Sequence, residues 1–194
     1  MSGLLQYDKK DLEVLIKKAI SGDRIAQNRL YEMLAPRMFP VCLRYSTDHD
    51  EAQEILQESF IKMFTHLKQY RNDGAFEGWV RRIVVNTALQ KIREKARMYP
   101  VVSDKDEVIE HQLSDNETYA NIGYKVLLEL VQKLPPTYRM VFNLYVFEGM
   151  KHKEIAELLH ISEGTSKSNL YDARMILQRE IKKLDSSPSK IASL

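Results

Sequence analysis

Residues 150–181 read MKHKEIAELLHISEGTSKSNLYDARMILQREI and constrain the fold more than any other stretch of the sequence. Apolar residues recur at helical spacing on both sides of a short turn at His160-Ile161. Ser162 is a typical N-cap, because its hydroxyl can accept a hydrogen bond from a backbone N–H of the first helical turn. The second helix places its small and apolar residues on one face: Ser166, Leu170, Ala173 and Leu177. The stretch therefore predicts a helix-turn-helix, whose second helix enters the DNA major groove by its N-terminal end.

The side chains predicted to face DNA lie near the start of that second helix: Glu163, Thr165, Lys167, Ser168, Tyr171 and Asp172. Their polar groups can bond to phosphates or to base edges. From residue 150 to residue 183, seven basic side chains oppose five acidic ones, so duplex binding by this unit alone should be weak and salt-sensitive. The alternative is a helical hairpin that only packs, and the stretch by itself leaves it open.

The composition favours a mostly helical globular protein. The 194 residues suffice for one ordinary domain or two small ones, and only 7 are Gly and 6 are Pro. Cys42 stands alone, so there is no disulfide framework and a reducing compartment fits. With no long apolar run and no signal-peptide pattern, we expect a cytoplasmic protein without membrane insertion of its own. The net charge of +2 permits nucleic-acid binding without requiring it.

Helical periodicity, interrupted by turn and proline signals, divides the remaining chain into elements. The predicted helices are residues 7–20, 25–34, 36–45, 51–67, 77–99, 119–133 and 137–147. Residues 100–118 are polar, acidic and aperiodic, which predicts a flexible linker. We therefore expect an all-α protein of two small helical domains, residues 1–99 and 119–184, with a disordered tail at 185–194.

One face of the predicted helix at 51–67 is acidic. It carries Glu51, Gln53, Glu54, Gln57, Glu58 and Ile61. Acidic residues favour the first turns of a helix because they oppose the positive end of its dipole, so a solvated face is one interpretation. A docking surface for a basic partner is the other, and an exposed Ile61 beside the carboxylates supports it.

The strongest basic cluster lies between Lys68 and Arg97. Eight basic side chains against three acidic ones leave a net charge of +5 there. The same region contains aromatic residues at Tyr70, Phe76, Trp79 and Tyr99. Basic residues that follow a backbone, with aromatic rings for stacking, suit single-stranded nucleic acid. The alternative is that Phe76 and Trp79 belong to the hydrophobic core.

The order of these parts is specific. The segments ILQESF, AFEGWVRRIVVNTALQKIREKAR and KLPPTYRMVFNLYVFEGMKHKEIAELLHISEGTSKSNLYDAR follow one another, the last after the linker. From about residue 24 to residue 181 the chain resembles the sigma-70 family of bacterial transcription initiation factors. It is most similar to the small two-domain branch, the extracytoplasmic-function sigma factors.

The resemblance implies partners as well as a fold. The acidic helix would bind the β′ clamp helices of core RNA polymerase through Asp50, Glu51, Glu54, Gln57, Glu58 and Ile61. The second domain would meet the β flap, both domains would bind promoter DNA, and an anti-sigma factor would hold the protein inactive. The linker would run towards the polymerase active site.

The resemblance also implies two DNA-binding sets. The first domain would melt and read the −10 element with Trp79, Arg82, Asn86, Lys91, Arg93 and Arg97, where Asn86 lies at a pocket for a flipped base. The second would read the −35 element with Glu163, Thr165, Lys167, Ser168, Tyr171 and Arg174. Ser166, Asn169 and Asp172 stand where the family often has Val and arginines, so no −35 sequence is predicted. Asp172 could accept a hydrogen bond from cytosine or pair with a neighbouring base.

Two other classes of function fit parts of the sequence. An autonomous helix-turn-helix regulator would bind a palindromic operator without polymerase, and its N-terminal domain would only dimerise. A metal protein could draw ligands from Asp48, His49, Asp50 and His66, but these lack a shared ligand spacing and fit helix caps better. We expect no catalytic residues, no cofactor and no metal, since the polymerase supplies the nucleotide chemistry.

Overall fold

The computed structural model describes residues 9–98 and 123–185. Within these ranges the protein is all-α, as predicted. The α-helices are α1 (Lys9–Ile20), α2 (Arg24–Tyr45), α3 (His49–His66), α4 (Phe76–Met98), α5 (Tyr124–Gln132), α6 (Pro136–Val146), α7 (His152–Leu159) and α8 (Glu163–Asp185), with a 3-10 helix at Leu67–Gln69 after α3. The predicted linker, the tail beyond residue 185 and the predicted helical residues 7–8, 99 and 119–122 lie outside the described residues.

The described chain forms two compact units, with the boundary between Lys91 and Ile92, inside α4. α1, α2, α3 and most of α4 belong to the first unit. α5 to α8 belong to the second, in which α8 packs against α6, α7 and α5. No helix among the described residues is long and apolar enough to cross a membrane.

α2 corrects one prediction. A break was expected before Pro36, yet a single helix of 22 residues runs from Arg24 through both Pro36 and Pro40. Each proline removes one backbone hydrogen bond from the helix. Burial on both sides of the prolines compensates, because Leu30, Leu34, Val41, Cys42 and Tyr45 are enclosed in the core. Tertiary packing therefore keeps α2 helical through both prolines, although local helix propensity predicts a break.

α2 also buries the single cysteine. Cys42 is fully enclosed, and burial raises the pKa of its thiol to about 12, so this residue behaves as a small apolar side chain. Asp23 caps the start of α2 by accepting hydrogen bonds from the backbone of Ile25 and Ala26. The break between the predicted helices at residues 7–20 and 25–34 is thereby confirmed.

α4 is confirmed as a helix, and four of the six side chains that its spacing was expected to turn inward are buried: Val84, Thr87, Ala88 and Ile92. The other two, Trp79 and Ile83, are only half-buried. Val80, Val85 and Leu89 are buried in addition. Apolar residues cover more than one stripe of this helix, so the sequence pattern alone did not decide which stripe faces the core.

Candidate nucleic-acid and protein-docking surfaces

The helix-turn-helix predicted at residues 150–181 is formed by α7 and α8. α7 ends at Leu159 and is capped by His160, which adopts a left-handed backbone conformation with φ 57°. Ser162 then caps α8, because its Oγ accepts a hydrogen bond from the Thr165 backbone N–H at 2.9 Å. The predicted inward residues Ser166, Leu170, Ala173 and Leu177 are all buried. The second helix of the motif is therefore fixed against the core along one face, and the opposite face is available to a ligand.

The exposed N-terminal turns of α8 carry the predicted DNA-facing residues, but most of their polar groups have internal partners. The Thr165 hydroxyl lies 2.8 Å from the Ser162 hydroxyl, and the Ser168 hydroxyl donates to the Thr165 carbonyl at 3.1 Å. Lys167 Nζ and Glu163 Oε1 form an ion pair at 2.8 Å. The hydrogen bond from Lys167, followed by its charge, lowers the pKa of Glu163. Tyr171 is partly exposed on the next turn.

Asp172 and Arg174 are directed towards α6. Burial first, then the charge of Asp172 and a hydrogen bond with it, raise the pKa of the Tyr138 hydroxyl. The guanidinium carbon of Arg174 lies 5.9 Å from the ring centroid of Tyr145, within the range of a cation–π contact. Asp172, considered above as a partner for a base, thus has a partner inside its own domain.

His152 joins three helices of this unit and was missed by the sequence analysis. It is the first residue of α7, its ring stacks on Tyr145 of α6 at 4.7 Å, and its Nδ1 lies 3.0 Å from the Ser166 hydroxyl of α8. Burial, then the charge of Lys167, lower its pKa. In the sequence, a polar residue at the first position of a helix is indistinguishable from a surface residue. Only the three-dimensional contact between His152 and Ser166 shows that His152 links α7 to α8.

The acidic face of α3 is exposed as predicted. Asp50, Glu54 and Gln57 are exposed, Glu51 and Glu58 are half-buried, and Ile61 keeps 67% of its surface in solvent. The Glu51 carboxylate accepts hydrogen bonds from the backbone N–H and the hydroxyl of Thr47, both at 2.6 Å, so it also closes the start of the helix. Ile61 therefore adds one exposed apolar side chain to the acidic face, as the docking interpretation requires.

Most of the predicted −10 residues lie on one stripe of α4. A rotation of about 100° per residue brings positions 79, 82, 86 and 93 within a sector of roughly 60°. Arg82 and Asn86 are exposed, whereas Trp79 and Arg93 are half-buried. The side chain of Arg97 lies outside the described residues.

The aromatic rings at the start of α4 differ in burial. The Trp79 ring is stacked on Phe76 with 5.8 Å between the ring centroids, and Phe76 is buried. The alternative that Phe76 belongs to the hydrophobic core is therefore confirmed, whereas Trp79 borders the core and is half-buried.

Lys91 lies outside this stripe. Around the axis of α4 it is rotated by roughly 120° from position 79, and its side chain faces α3. Its Nζ bonds to Glu54 Oε2 at 2.9 Å and lies 3.7 Å from Glu58 Oε2. Lys62 of α3 in turn bonds to Glu58 at 2.7 Å and donates to Gln90 of α4 at 3.1 Å. The candidate docking face and the candidate DNA-binding helix therefore share one network of charges.

The candidate metal ligands serve other purposes. No group of three or more His, Cys, Asp or Glu side chains that could hold a metal ion occurs within residues 9–98 and 123–185. Asp48 caps α3 by accepting a hydrogen bond from the Glu51 backbone at 2.8 Å, and the His49 ring packs edge-on against Phe39. His66 lies 3.2 Å from the Gln69 amide at the other end of α3.

Comparison with known proteins assigns both units. The family model of sigma-70 region 2 matches residues 30–98, and that of sigma-70 region 4 matches residues 124–177. The chain belongs to the sigma-70 family. The two matched regions contain all three segments on which the sequence resemblance rested, and they include α4 and the helix-turn-helix. Members of this family are transcription initiation factors and not enzymes.

Curated relatives agree over nearly the full length. RNA polymerase sigma-H factor of Pseudomonas aeruginosa is 29% identical over 180 residues, covering 88% of this chain and 93% of that protein. ECF RNA polymerase sigma-E factor of Haemophilus influenzae is 26% identical, covering 89% of this chain and 96% of that protein. Similarity across both regions supports the extracytoplasmic-function branch of sigma factors and disfavours the autonomous regulator.

A solved structure supports the fold. The sigma factor RpoE of Bartonella quintana, in complex with the anti-sigma factor NepR, matches with a TM-score of 0.51 and 21% identity. The match covers 81% of this chain and 97% of that one.

Proposed function

We propose that this protein is a transcription initiation factor that binds core RNA polymerase and directs it to specific promoters. The observation that carries the proposal is the match to sigma-70 regions 2 and 4 in one chain, each on a unit with a suitable surface. Residues 1–99 form the polymerase-binding and −10 domain, residues 119–184 the −35 domain, and residues 100–118 the linker. The protein acts in the bacterial cytoplasm, where core polymerase and promoter DNA are found.

The acidic face of α3 binds the β′ clamp helices in this proposal. Asp50, Glu54 and Gln57 present exposed polar groups, and Ile61 supplies an apolar contact beside them. Charges on such a surface contribute more to association rate and partner choice than to raw affinity. The β flap binds the second unit.

Promoter DNA is bound at two places. The stripe on α4 captures the separated −10 strand, with Asn86 at the flipped base and basic side chains on phosphates. The exposed turns of α8 read the −35 duplex. Two weak sites held on one polymerase gain from their high effective concentration, which explains how a chain with a net charge of only +2 suffices.

An anti-sigma factor restrains the protein. The structure of a relative with its anti-sigma factor supports such a partner, and the exposed α3 face offers it the same surface that polymerase needs.

Run-off transcription with core polymerase, with and without this protein, on a pool of genomic fragments tests the proposal. Discrete transcript starts that require the protein are expected. If polymerase ignores the protein while the protein alone shifts a palindromic DNA, the autonomous regulator is correct instead.

The docking face is tested separately with the double variant Glu54→Lys and Glu58→Lys, which should bind core polymerase at least tenfold more weakly. Glu32→Lys is the control, since Glu32 is an exposed acidic residue on a helix of the same unit, where its carboxylate accepts a hydrogen bond from the Asn28 side-chain amide at 2.7 Å. Equal core binding by the double variant and the control would show that the acidic face of α3 is not the docking surface.

A further inference from the structure

The exposed N-terminal turns of α8 present one conspicuous pair of charged groups. The hydroxyls of Thr165 and Ser168 are bonded within the helix start, and Asp172 is bonded to α6. Glu163 and Lys167, one helical turn apart, are bonded to each other while their side chains remain 50% and 61% exposed. The pair therefore lies on the surface that the recognition helix turns towards base edges, with its geometry already set.

The geometry of this pair matches a base pair. In the major groove a G·C pair presents the guanine O6 acceptor beside the cytosine N4 donor. These two atoms are joined by a Watson–Crick hydrogen bond and so lie about 2.9 Å apart. Lys167 Nζ and Glu163 Oε1 lie 2.8 Å apart. The ammonium can donate to O6 and the carboxylate can accept from N4 without either group leaving the other.

We propose that Glu163 and Lys167 together read one G·C base pair of the −35 element, with guanine facing Lys167 and cytosine facing Glu163. This inference rests on the proposed function and names part of the promoter that it recognises. Both side chains are satisfied on DNA, since each keeps its intramolecular partner and gains a base contact. The ion pair acts as one recognition unit.

The chemistry of the groove edges explains why the other base pairs are disfavoured. A reversed C·G or A·T pair sets its amino donor against the ammonium and its keto acceptor against the carboxylate. A T·A pair has keto and amino groups in the right order, but adenine N7 then lies beside the carboxylate and repels it. Guanine N7, by contrast, gives the lysine a second acceptor. The expected order of preference is G·C, then T·A, then the two reversed pairs.

The test uses holoenzyme assembled from core polymerase and the full chain, transcribing a promoter library with a randomised −35 element. Wild-type protein should select G·C at one position at least. In Lys167→Ala the preference for guanine at that position should fall about tenfold, the effect of one lost base contact. In Glu163→Ala the T·A pair at the same position should become acceptable, because the repulsion from adenine N7 is gone.

The control is a second ion pair on the same helix. Lys183 Nζ and Glu180 Oε1 also lie 2.8 Å apart, but near the C-terminal end of α8. Lys183→Ala and Glu180→Ala remove equal charges and should leave base preference at every position unchanged. Circular dichroism and core binding confirm that each variant is folded.

Three results would overturn the inference: no G·C preference in the wild type, an equal loss for all bases in Lys167→Ala, or an unchanged T·A response in Glu163→Ala. The second of these would make Lys167 a phosphate contact. Absence of any transcription beyond that of core polymerase would instead refute the proposed function, so the two failures are distinct.

Discussion

The start of the recognition helix depends on one hydroxyl, which allows a quantitative prediction. Ser162 Oγ accepts from the Thr165 N–H at 2.9 Å and lies 2.8 Å from the Thr165 hydroxyl. Ser162→Ala removes both partners, and loss of an N-cap costs about 1 kcal/mol within a range of roughly 0.5–2 kcal/mol. Gly164, inside the same turn, adds no helix propensity of its own to offset this loss. We therefore expect a local destabilisation of about 1 kcal/mol.

The local destabilisation in Ser162→Ala should also weaken DNA binding. The turn that Ser162 caps carries Glu163, and Lys167 follows on the next turn. Where the turn is frayed in the free protein, binding must order it again, and 1 kcal/mol then corresponds to at most about a fivefold loss of affinity. We expect holoenzyme with Ser162→Ala to need more −35 duplex for half-saturation, up to about fivefold, while its selectivity among bases remains the same.

Hydrogen exchange at the Thr165 amide measures the local effect directly, and should be about fivefold faster in Ser162→Ala. Ser162→Asp keeps an acceptor and should restore protection. Ser168→Ala is the matched control for stability, because the same chemical change inside the helix raises propensity by about 0.5 kcal/mol and should protect the helix slightly. Unchanged exchange in Ser162→Ala, or equal destabilisation in Ser168→Ala, would refute the reasoning.

Two further predictions concern charged groups. A double-mutant cycle with Lys91→Gln and Glu54→Gln, measured by urea unfolding, should give a coupling energy of about 0.2–1 kcal/mol because the ion pair is partly exposed. The coupling energy should shrink in high salt, and a value of zero at low salt would contradict the ion pair. His152 has a pKa lowered from 6.5 in the folded protein, so the unfolded chain takes up the proton first as the pH falls. The free energy of unfolding should therefore drop below pH 6.5 by more in wild type than in His152→Gln, and parallel pH profiles for the two proteins would exclude this linkage.

The helix-turn-helix could be predicted almost completely from sequence because its signals are local. The spacing of Leu170, Ala173 and Leu177 defines one face, and Ser162 provides a cap three residues before its partner amide. Prediction failed where tertiary packing outweighs a local rule. Pro36 should end a helix, but burial on both sides carries α2 through it.

Contacts between residues far apart in the chain could not be predicted from the sequence either. Lys91 and Glu54 are 37 positions apart, and nothing in either helix alone indicates that their side chains meet. Lys91 was grouped with the −10 residues because it lies in a basic stretch, yet its position around α4 turns it towards α3. That it contacts DNA stays a prediction, and the structure adds a second use for its charge.

The charge network between α3 and α4 has a consequence for how this protein can evolve. A substitution at Lys91 that altered promoter binding would also remove the cation that pairs with Glu54 and change the net charge beside the proposed docking face of α3. The same mutation would then alter every promoter the factor serves, through its competition for core polymerase. Divergence of promoter preference between related factors should therefore accumulate preferentially on α8, where the proposed reading residues Glu163 and Lys167 pair with each other.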